Sequence, residues 1–395
     1  MSKILAMFDI FTKGFLKLFV KQVIEKLQPD FIYKLVAGKE GLSREVRWIH
    51  MVETVEIATF LEGKEIVFTT GVGLNEPSEL ESLIKCIIQH GASGIFLNTG
   101  PYIQEIPSII INLCNEHNVP LFVVPWKVKM ARMMRIISQL IIENEKKKIE
   151  LEHALINLLI SPSQKELYYD TLRENFMYEV GNYTLIIVKL DQFQYVEELK
   201  IYLDKKLNQH NHQMVISHLN QNLLLLMKDL SNNSAQQIQH LIEKKYPMIS
   251  YTIAVGETVE SLFETSTSYN QCQFILQLNQ RENRIIAWDD LGSYKLFFGT
   301  SQTTAMRKLQ LKYARKLMDH DQLYQSEYCQ LVRQYIQMNG RVNDIAKQLF
   351  LHRNTIHYRL NKIEEILQCD LSEFQIKMDI ELSFILDDLF GSAYK

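Results

Sequence analysis

Two short helical patterns separated by a tight turn stand near the end of this 395-residue chain, between Gly340 and Leu367. In the first pattern, four apolar residues recur at helical spacing and share one face: Val342, Ile345, Ala346 and Leu349. In the second, an inward stripe recurs at i, i+4 and i+7: Ile356, Leu360 and Ile363. Asn343 is the predicted N-cap of the first helix, with Val342 as the apolar residue of a staple. The pattern predicts a helix-turn-helix in an all-α C-terminal domain, residues 300–395.

The outward face of the second predicted helix carries side chains that suit DNA. Arginine can pair bidentately with guanine and asparagine with adenine, which suits Arg353 and Asn354 to base contacts. Thr355, Arg359 and Lys362 are better placed for phosphate. The predicted DNA contacts are Arg341, His352, Arg353, Asn354, Thr355, His357, Tyr358, Arg359, Asn361 and Lys362. From the residues alone, a helical pair that only packs a core remains the alternative.

Charge supports the DNA interpretation locally. The whole chain has a formal net charge of -3, but residues 341–362 contain five basic residues and a single acid, Asp344. Basic character confined to one segment is typical of a nucleic-acid-binding module in an otherwise neutral protein.

The string from His352 to Leu360 resembles the C-terminal signature of the PucR/CdaR-type transcriptional regulators, in which an "HRNT" element opens the recognition helix. The residues after it, 364–367 and 369–371, also fit, although Cys369 is next to a position where the family usually has glycine. The resemblance implies that double-stranded DNA is the partner. Helix-turn-helix proteins commonly dimerise to match two half-sites, so we expect a homodimer or a higher homo-oligomer.

The first 139 residues predict an α/β domain. Continuously apolar runs at 66–69, 94–97 and 121–124 are typical of buried parallel strands, and helical patterns at 78–90 and 107–117 alternate with them. Ligands of open α/β sheets bind beyond the carboxyl ends of the strands. Seven residues fall there and form a candidate ligand site: Thr69, Thr70, Gly71, Asn98, Thr99, Gly100 and Trp126. The alternative is that these glycines only punctuate turns, since Gly71 and Gly73 lack the third glycine of a dinucleotide fingerprint.

Residues 41–48 and 69–71 resemble the N-terminal purine-catabolism-regulator domain of the same family. The resemblance implies that this domain senses a small-molecule effector, often a nitrogen-containing metabolite. It also implies control of genes for nitrogen, purine or amino-acid catabolism.

A linker helix is predicted at 140–160, followed by a middle domain at 161–299 with strands at 183–188, 213–216, 222–227 and 249–255. This α+β domain resembles the degenerate GGDEF-like domain of the family. A working nucleotide cyclase needs a Gly-Gly turn and adjacent acids for nucleotide and Mg²⁺, and the hairpin at 217–222 offers neither. We therefore expect no enzyme, with a nucleotide-binding or cyclase-like enzyme as the alternative.

The remaining composition predicts a cytoplasmic protein without cofactor or metal. No apolar run approaches the roughly 20 residues that span a bilayer, and the N-terminus has no small-residue cleavage site. The five cysteines are isolated, which is typical of reduced thiols. His210 and His212 form a lone His-x-His without a third ligand. The predicted fold class is α/β and α+β multidomain, ending in the all-α domain.

Overall fold

The computed structural model describes residues 17–391, apart from 75, 176, 208–213, 230–232 and 279–283. His210 and His212 therefore lie outside the described residues. Contacts divide the chain into two compact units. The first is Met1–Ala154 with Glu166–Phe176, and the second is Leu155–Lys165 with Met177–Lys395.

The first unit is built on a five-stranded sheet. Its elements are β1 (Leu18–Phe19), α1 (Val20–Leu27), β2 (Lys34–Ala37), β3 (Glu45–Val46), β4 (Trp48–Met51), α2 (Val55–Ala58), β5 (Glu65–Thr69), α3 (Pro77–Gln89), β6 (Gly94–Thr99), α4 (Ser108–Glu116), β7 (Leu121–Pro125), the first part of α5 (Met130–Ile160) and α6 (Tyr169–Glu174). The strand order is β2-β7-β6-β5-β4, with β4 to β7 parallel and β2 antiparallel to β7. The three predicted strands are confirmed, whereas β2 and β4, which have only four residues each, were not predicted.

Burial on both faces explains the continuous apolar runs. On one face Phe68, Phe96 and Phe122 stack, with neighbouring ring centroids 5.0 and 4.7 Å apart. On the other face Val67 and Ile95 pack in a core shared with α3 and α4. Parallel strands whose two faces are both covered by helices are apolar at successive positions. The carboxyl ends of β5, β6 and β7 consequently share one edge of the sheet.

The helix α5 begins at Met130, ten residues before the predicted start of the linker helix at 140. Tertiary packing explains this earlier start. Met133 and Ile137 are fully buried in the same core as the stacked phenylalanines, so the first turns of this helix belong to the core of the first unit.

The second unit contains a mixed sheet and a helical C-terminal part. The sheet part consists of β8 (Val180–Leu190), α7 (Val196–Leu207), β9 (Met214–Leu219), β10 (Asn222–Lys228), α8 (Ser234–Lys245), β11 (Tyr251–Val255), β12 (Val259–Ser261), α9 (Thr265–Gln277) and β13 (Arg284–Ala287). The strand order is β13-β11-β8-β10-β9, and β12 pairs with β8. All pairs are antiparallel except β11 with β13. The predicted hairpin is present as β9 and β10, joined at Asn220 and Gln221.

A 3₁₀ segment (Trp288–Phe297) leads into the helices, which are α10 (Thr304–Gln310), a π turn (Leu311–Arg315), α11 (Lys316–Tyr324), α12 (Tyr328–Gln337), α13 (Val342–Gln348), α14 (Arg353–Leu367) and α15 (Phe374–Phe390). One apolar core joins them. It includes Leu317, Leu331, Val332, Ile345, Ile356, Leu360, Ile363, Ile380 and Phe384. The recognition helix α14 is therefore fixed by packing on several helices rather than on α13 alone.

Candidate nucleic-acid interface

The helix α13 starts one residue earlier than its predicted cap. Asn339 and Gly340 are both left-handed, with φ of 52° and 76°, and the Val342 N–H donates to the Gly340 carbonyl at 2.9 Å. Arg341 consequently occupies the capping position without a side-chain cap, and Asn343 lies inside the first turn. The prediction of Asn343 as N-cap is wrong because the preceding tight turn, and not a side chain, sets where this helix begins.

The turn between α13 and α14 contains an aromatic residue in an unusual conformation. Phe350 has φ of 52°, and its side chain is 95% exposed. The Leu351 N–H donates to the Ala346 carbonyl at 2.9 Å, which closes the turn. Left-handed backbone is unfavourable for residues with a Cβ atom. The turn geometry therefore requires a conformation for which glycine is better suited.

The two sides of α14 separate as predicted. Ile356, Leu360 and Ile363 are buried in the shared core. The opposite side is exposed and carries base-reading residue types: Arg353, Asn354, His357, Tyr358 and Asn361. Arg341 and His352 are also exposed, and Thr355 is half-buried. The structure thus brings the predicted residues of α14 onto one exposed face, with Arg341 exposed at the start of α13, while their contact with DNA stays a prediction.

His352 caps the recognition helix. Its Nδ1 accepts a hydrogen bond from the Asn354 backbone N–H at 3.3 Å. A ring nitrogen that accepts carries no proton, so the proton of the neutral imidazole is on Nε2 and can be donated outward. The Thr355 and Ile356 N–H groups donate to the His352 carbonyl at 2.9 and 3.3 Å, and the positive end of the helix dipole at this start suits a phosphate oxygen.

The two cations predicted to contact phosphate are each paired with a carboxylate. Arg359 Nη1 lies 3.8 Å from Glu327 Oε2, and the Lys362 ammonium donates to Glu365 at 2.6 Å. The hydrogen bond from Lys362 to Glu365 raises the pKa of the lysine. Glu327 is 73% exposed, and exposed ion pairs contribute only about 0–1 kcal/mol. A DNA phosphate can therefore replace these carboxylates at little cost. Sequence reasoning missed Glu327 because it precedes Arg359 by 32 residues.

At the edge of the N-terminal sheet, the hydrogen-bonding groups predicted to face a ligand are engaged by the protein itself. The Glu53 carboxylate accepts from the Thr69 and Thr70 hydroxyls at 3.1 and 2.8 Å, and from the Thr70 and Gly71 backbone N–H groups at 3.1 and 3.0 Å. Sequence reasoning missed Glu53, since it follows a strand that was not predicted.

The neighbouring residues of this edge have structural partners as well. The Asn98 side chain is buried and donates to the Val124 carbonyl at 3.0 Å, and the Thr99 hydroxyl donates to the same carbonyl at 3.5 Å. A Cβ atom at Gly100 would lie 2.7 Å from the Cβ of Trp126, so glycine permits this close approach. Trp126 is 45% exposed, and its ring meets that of Tyr102 edge-to-face with the centroids 5.7 Å apart.

Four features of the described residues bear on the expectations about catalysis, metal binding and membranes. The β9–β10 turn carries Asn220 and Gln221, neither of which is an acid. Within the described ranges no group of three or more His, Cys, Asp or Glu side chains comes together to hold a metal. All five cysteines are free. None of the described helices combines the length and apolar character that crossing a bilayer requires.

Comparison with protein families matches three regions of the chain. Residues 24–141 match the purine catabolism regulatory protein-like family, residues 180–278 match a GGDEF-like domain, and residues 328–386 match the PucR C-terminal helix-turn-helix domain. The last region contains α13 and α14 in full.

Several curated relatives come from Bacillus subtilis. The purine catabolism regulatory protein is 32% identical over 98 residues, 25% of this chain and 18% of that protein. The proline-responsive transcriptional activator PutR is 23% identical over 205 residues, 48% of this chain and 50% of its own length. The DNA-binding transcriptional activator AdeR is 26% identical over 156 residues, 38% of this chain and 37% of its own. The chain thus spans half or less of these relatives.

Proposed function

Because this chain carries the PucR family domain and the PucR C-terminal helix-turn-helix domain, it belongs with the PucR-type regulators, and we propose that it is a transcriptional regulator that reads DNA through α14. The proposal rests on the difference between the buried and the exposed side of α14. One side is locked into the core by Ile356, Leu360 and Ile363, while the other presents arginine, asparagine and histidine to solvent. A rigid helix with an exposed, basic, amide-bearing face is the arrangement that enters a major groove.

The side chains divide into two roles in this proposal. Arg353 and Asn354, in the first turn, read base edges, where a good bidentate pair contributes about 1–3 kcal/mol of discrimination. Arg359 and Lys362 exchange their carboxylate partners for phosphate and thereby set the register without reading sequence. His352 keeps Nδ1 on the Asn354 amide and offers its Nε2 proton to the backbone.

The regulatory setting belongs to the same proposal. We place the protein in the cytoplasm as a homodimer or higher homo-oligomer whose two α14 helices engage half-sites about 34 Å apart. A small-molecule effector acts on it, and the target genes serve nitrogen, purine or amino-acid catabolism. The free cysteines and the names of the relatives support this setting.

Selection of bound duplexes from a random pool tests the proposal, followed by titration of the selected site at several salt concentrations. Arg353→Ala and Asn354→Ala should lower affinity for the selected site far more than for random duplex. Lys362→Ala should weaken both alike and reduce the salt slope by about one. Lys244→Ala, an exposed lysine at the end of α8, is the matched control and should change neither. Equal losses on both duplexes for all three α14 variants would contradict the assigned roles.

An enzyme built on the GGDEF-like domain is the competing class. Incubation of the protein with GTP or ATP and Mg²⁺ separates the two, because the proposal expects no turnover. The absence of carboxylates from the β9–β10 turn supports this expectation.

A further inference from the structure

A cavity of about 230 Å³ lies within the second unit, between the sheet part and the C-terminal helices. One wall is the outer face of α9, and the opposite wall is the last turn of α15, with Leu389 and Phe390. The end of the 3₁₀ segment and the residues after it, from Phe297 to Thr300, complete the lining of the cavity. The cavity therefore touches the middle region and the helical region at once.

The lining defines which chemistry the cavity accepts. Three side-chain amides recur along α9 at i, i+3 and i+7: Asn270, Gln273 and Gln277. Aromatic rings face them from the same cavity. Phe298 lies 5.8 Å from Phe274 in an edge-to-face pair and packs in the same way on Trp288 at 4.9 Å. Side-chain amides both donate and accept hydrogen bonds, and phenyl rings pack best on flat apolar faces.

Of the described residues that line the cavity, none carries an ionisable side chain. A charged ligand would find no opposite charge among these residues, so the lining favours a neutral ligand. The volume is below the roughly 300 Å³ at which pockets for drug-sized ligands begin, so one or two fused rings fit. We propose that this cavity binds a neutral, planar heteroaromatic molecule, whose ring packs on the phenylalanines and whose edge is hydrogen-bonded by the α9 amides.

The position of the cavity connects it to the recognition helix. Asp387 near the end of α15 accepts a hydrogen bond from the Gln310 side chain at 2.7 Å and pairs with Arg315, which also donates to the Gly391 carbonyl at 2.7 Å. Earlier in α15, Ile380 and Phe384 pack in the apolar core that also contains the buried side of α14. A ligand that joins α9 to the end of α15 therefore restrains a helix that shares its apolar core with α14, and we infer that it changes DNA affinity.

Calorimetry on the full chain tests the site directly. The probes are azaindole and quinazolinone, which are neutral bicycles with a donor and an acceptor, and benzoate and benzamidine, which are charged. We expect saturable binding of a neutral probe and none of the charged pair. Gln273→Leu removes one amide and should weaken binding about ten-fold, or ~1.4 kcal/mol. Thr300→Trp fills the cavity and should abolish binding. Gln237→Leu, on the exposed side of α8, is the matched control and should bind as wild type does.

Three results would overturn the site: no binding of either neutral probe, equal binding of the charged probes, or an affinity for the neutral probes that neither cavity variant lowers. Circular dichroism will show whether Thr300→Trp folds. If it does not fold, Gln273→Leu still tests the site by itself.

The inferred effect on DNA rests on the proposed function and has its own readout. A bound probe should shift affinity for the selected duplex in wild type, and Gln273→Leu should need about ten times more probe for the same shift. Binding without that shift would refute the coupling alone, and a chain that binds the probe but no duplex would refute the proposed function and leave the site standing.

Discussion

Replacing Phe350 by glycine should stabilise the second unit. The residue has φ of 52° and its side chain is 95% exposed, so the ring contributes almost no burial to the folded state. The left-handed backbone costs about 1–2 kcal/mol for a residue with a Cβ atom. Glycine removes that cost but adds about 0.4–1 kcal/mol of chain entropy to the unfolded state. The two ranges leave a gain of about 0–1.6 kcal/mol, with a midpoint near 0.8 kcal/mol.

Thermal unfolding measures this gain. For a unit of this size, each 1 kcal/mol shifts the unfolding midpoint by about 2–4 °C, so a gain near 0.8 kcal/mol should raise it by about 2–3 °C. Phe350→Ala keeps the strained backbone and removes the same ring, so we expect a change within about 0.5 kcal/mol. Gln368, left-handed with φ of 54° and exposed at the end of α14, provides a second position at which glycine should stabilise.

The reasoning is refuted if Phe350→Gly and Phe350→Ala both lower the midpoint, because the ring would then be packed in the folded protein. DNA affinity gives an independent measurement on the same variants. If Phe350→Gly is more stable and yet binds the selected duplex less tightly, then the exposed ring serves binding at the expense of stability. Unchanged affinity would show that the ring makes no favourable contact with DNA.

Three further predictions concern other parts of the chain. Glu53→Ala leaves the Thr70 and Gly71 amides without their acceptor and should destabilise the first unit by about 2 kcal/mol in denaturant unfolding; a loss below ~0.5 kcal/mol would mean that water replaces the carboxylate. Ala346→Leu overpacks the contact of α13 with α14 and should lower the free energy of unfolding by about 1–3 kcal/mol and abolish specific DNA binding. Retained binding would show that the contact has room for the larger side chain. Desolvation raises the pKa of Glu381, with a smaller opposing effect of Arg333, so this side chain favours folding below its unfolded pKa and loses that contribution as pH rises through its folded pKa. Glu381→Gln should therefore raise the unfolding midpoint at pH 7 and much less near pH 4, and an equal gain at both would contradict the ionisation argument.

Local patterns in the sequence determined most of the elements. The buried strands β5, β6 and β7 follow from continuous apolar runs, and α13 and α14 follow from residues at helical spacing. These features depend only on neighbours a few positions away, since each periodicity reports the face that a single element buries. The exposed face of α14 could be predicted in the same way, because the side opposite a buried stripe is left to solvent.

Tertiary structure alone decided which distant groups meet. Glu53 reaches the end of β5, Glu327 reaches Arg359, and the amides of α9 face the last turn of α15. Each pairing joins segments that no periodicity relates, and it depends on the relative placement of whole elements. The same holds for the start of α5 at Met130, where burial in the core and not local spacing sets the boundary. The sequence by itself thus determined the elements and the DNA-facing side of α14, whereas packing decided which carboxylates occupy the candidate sites and where a cavity opens.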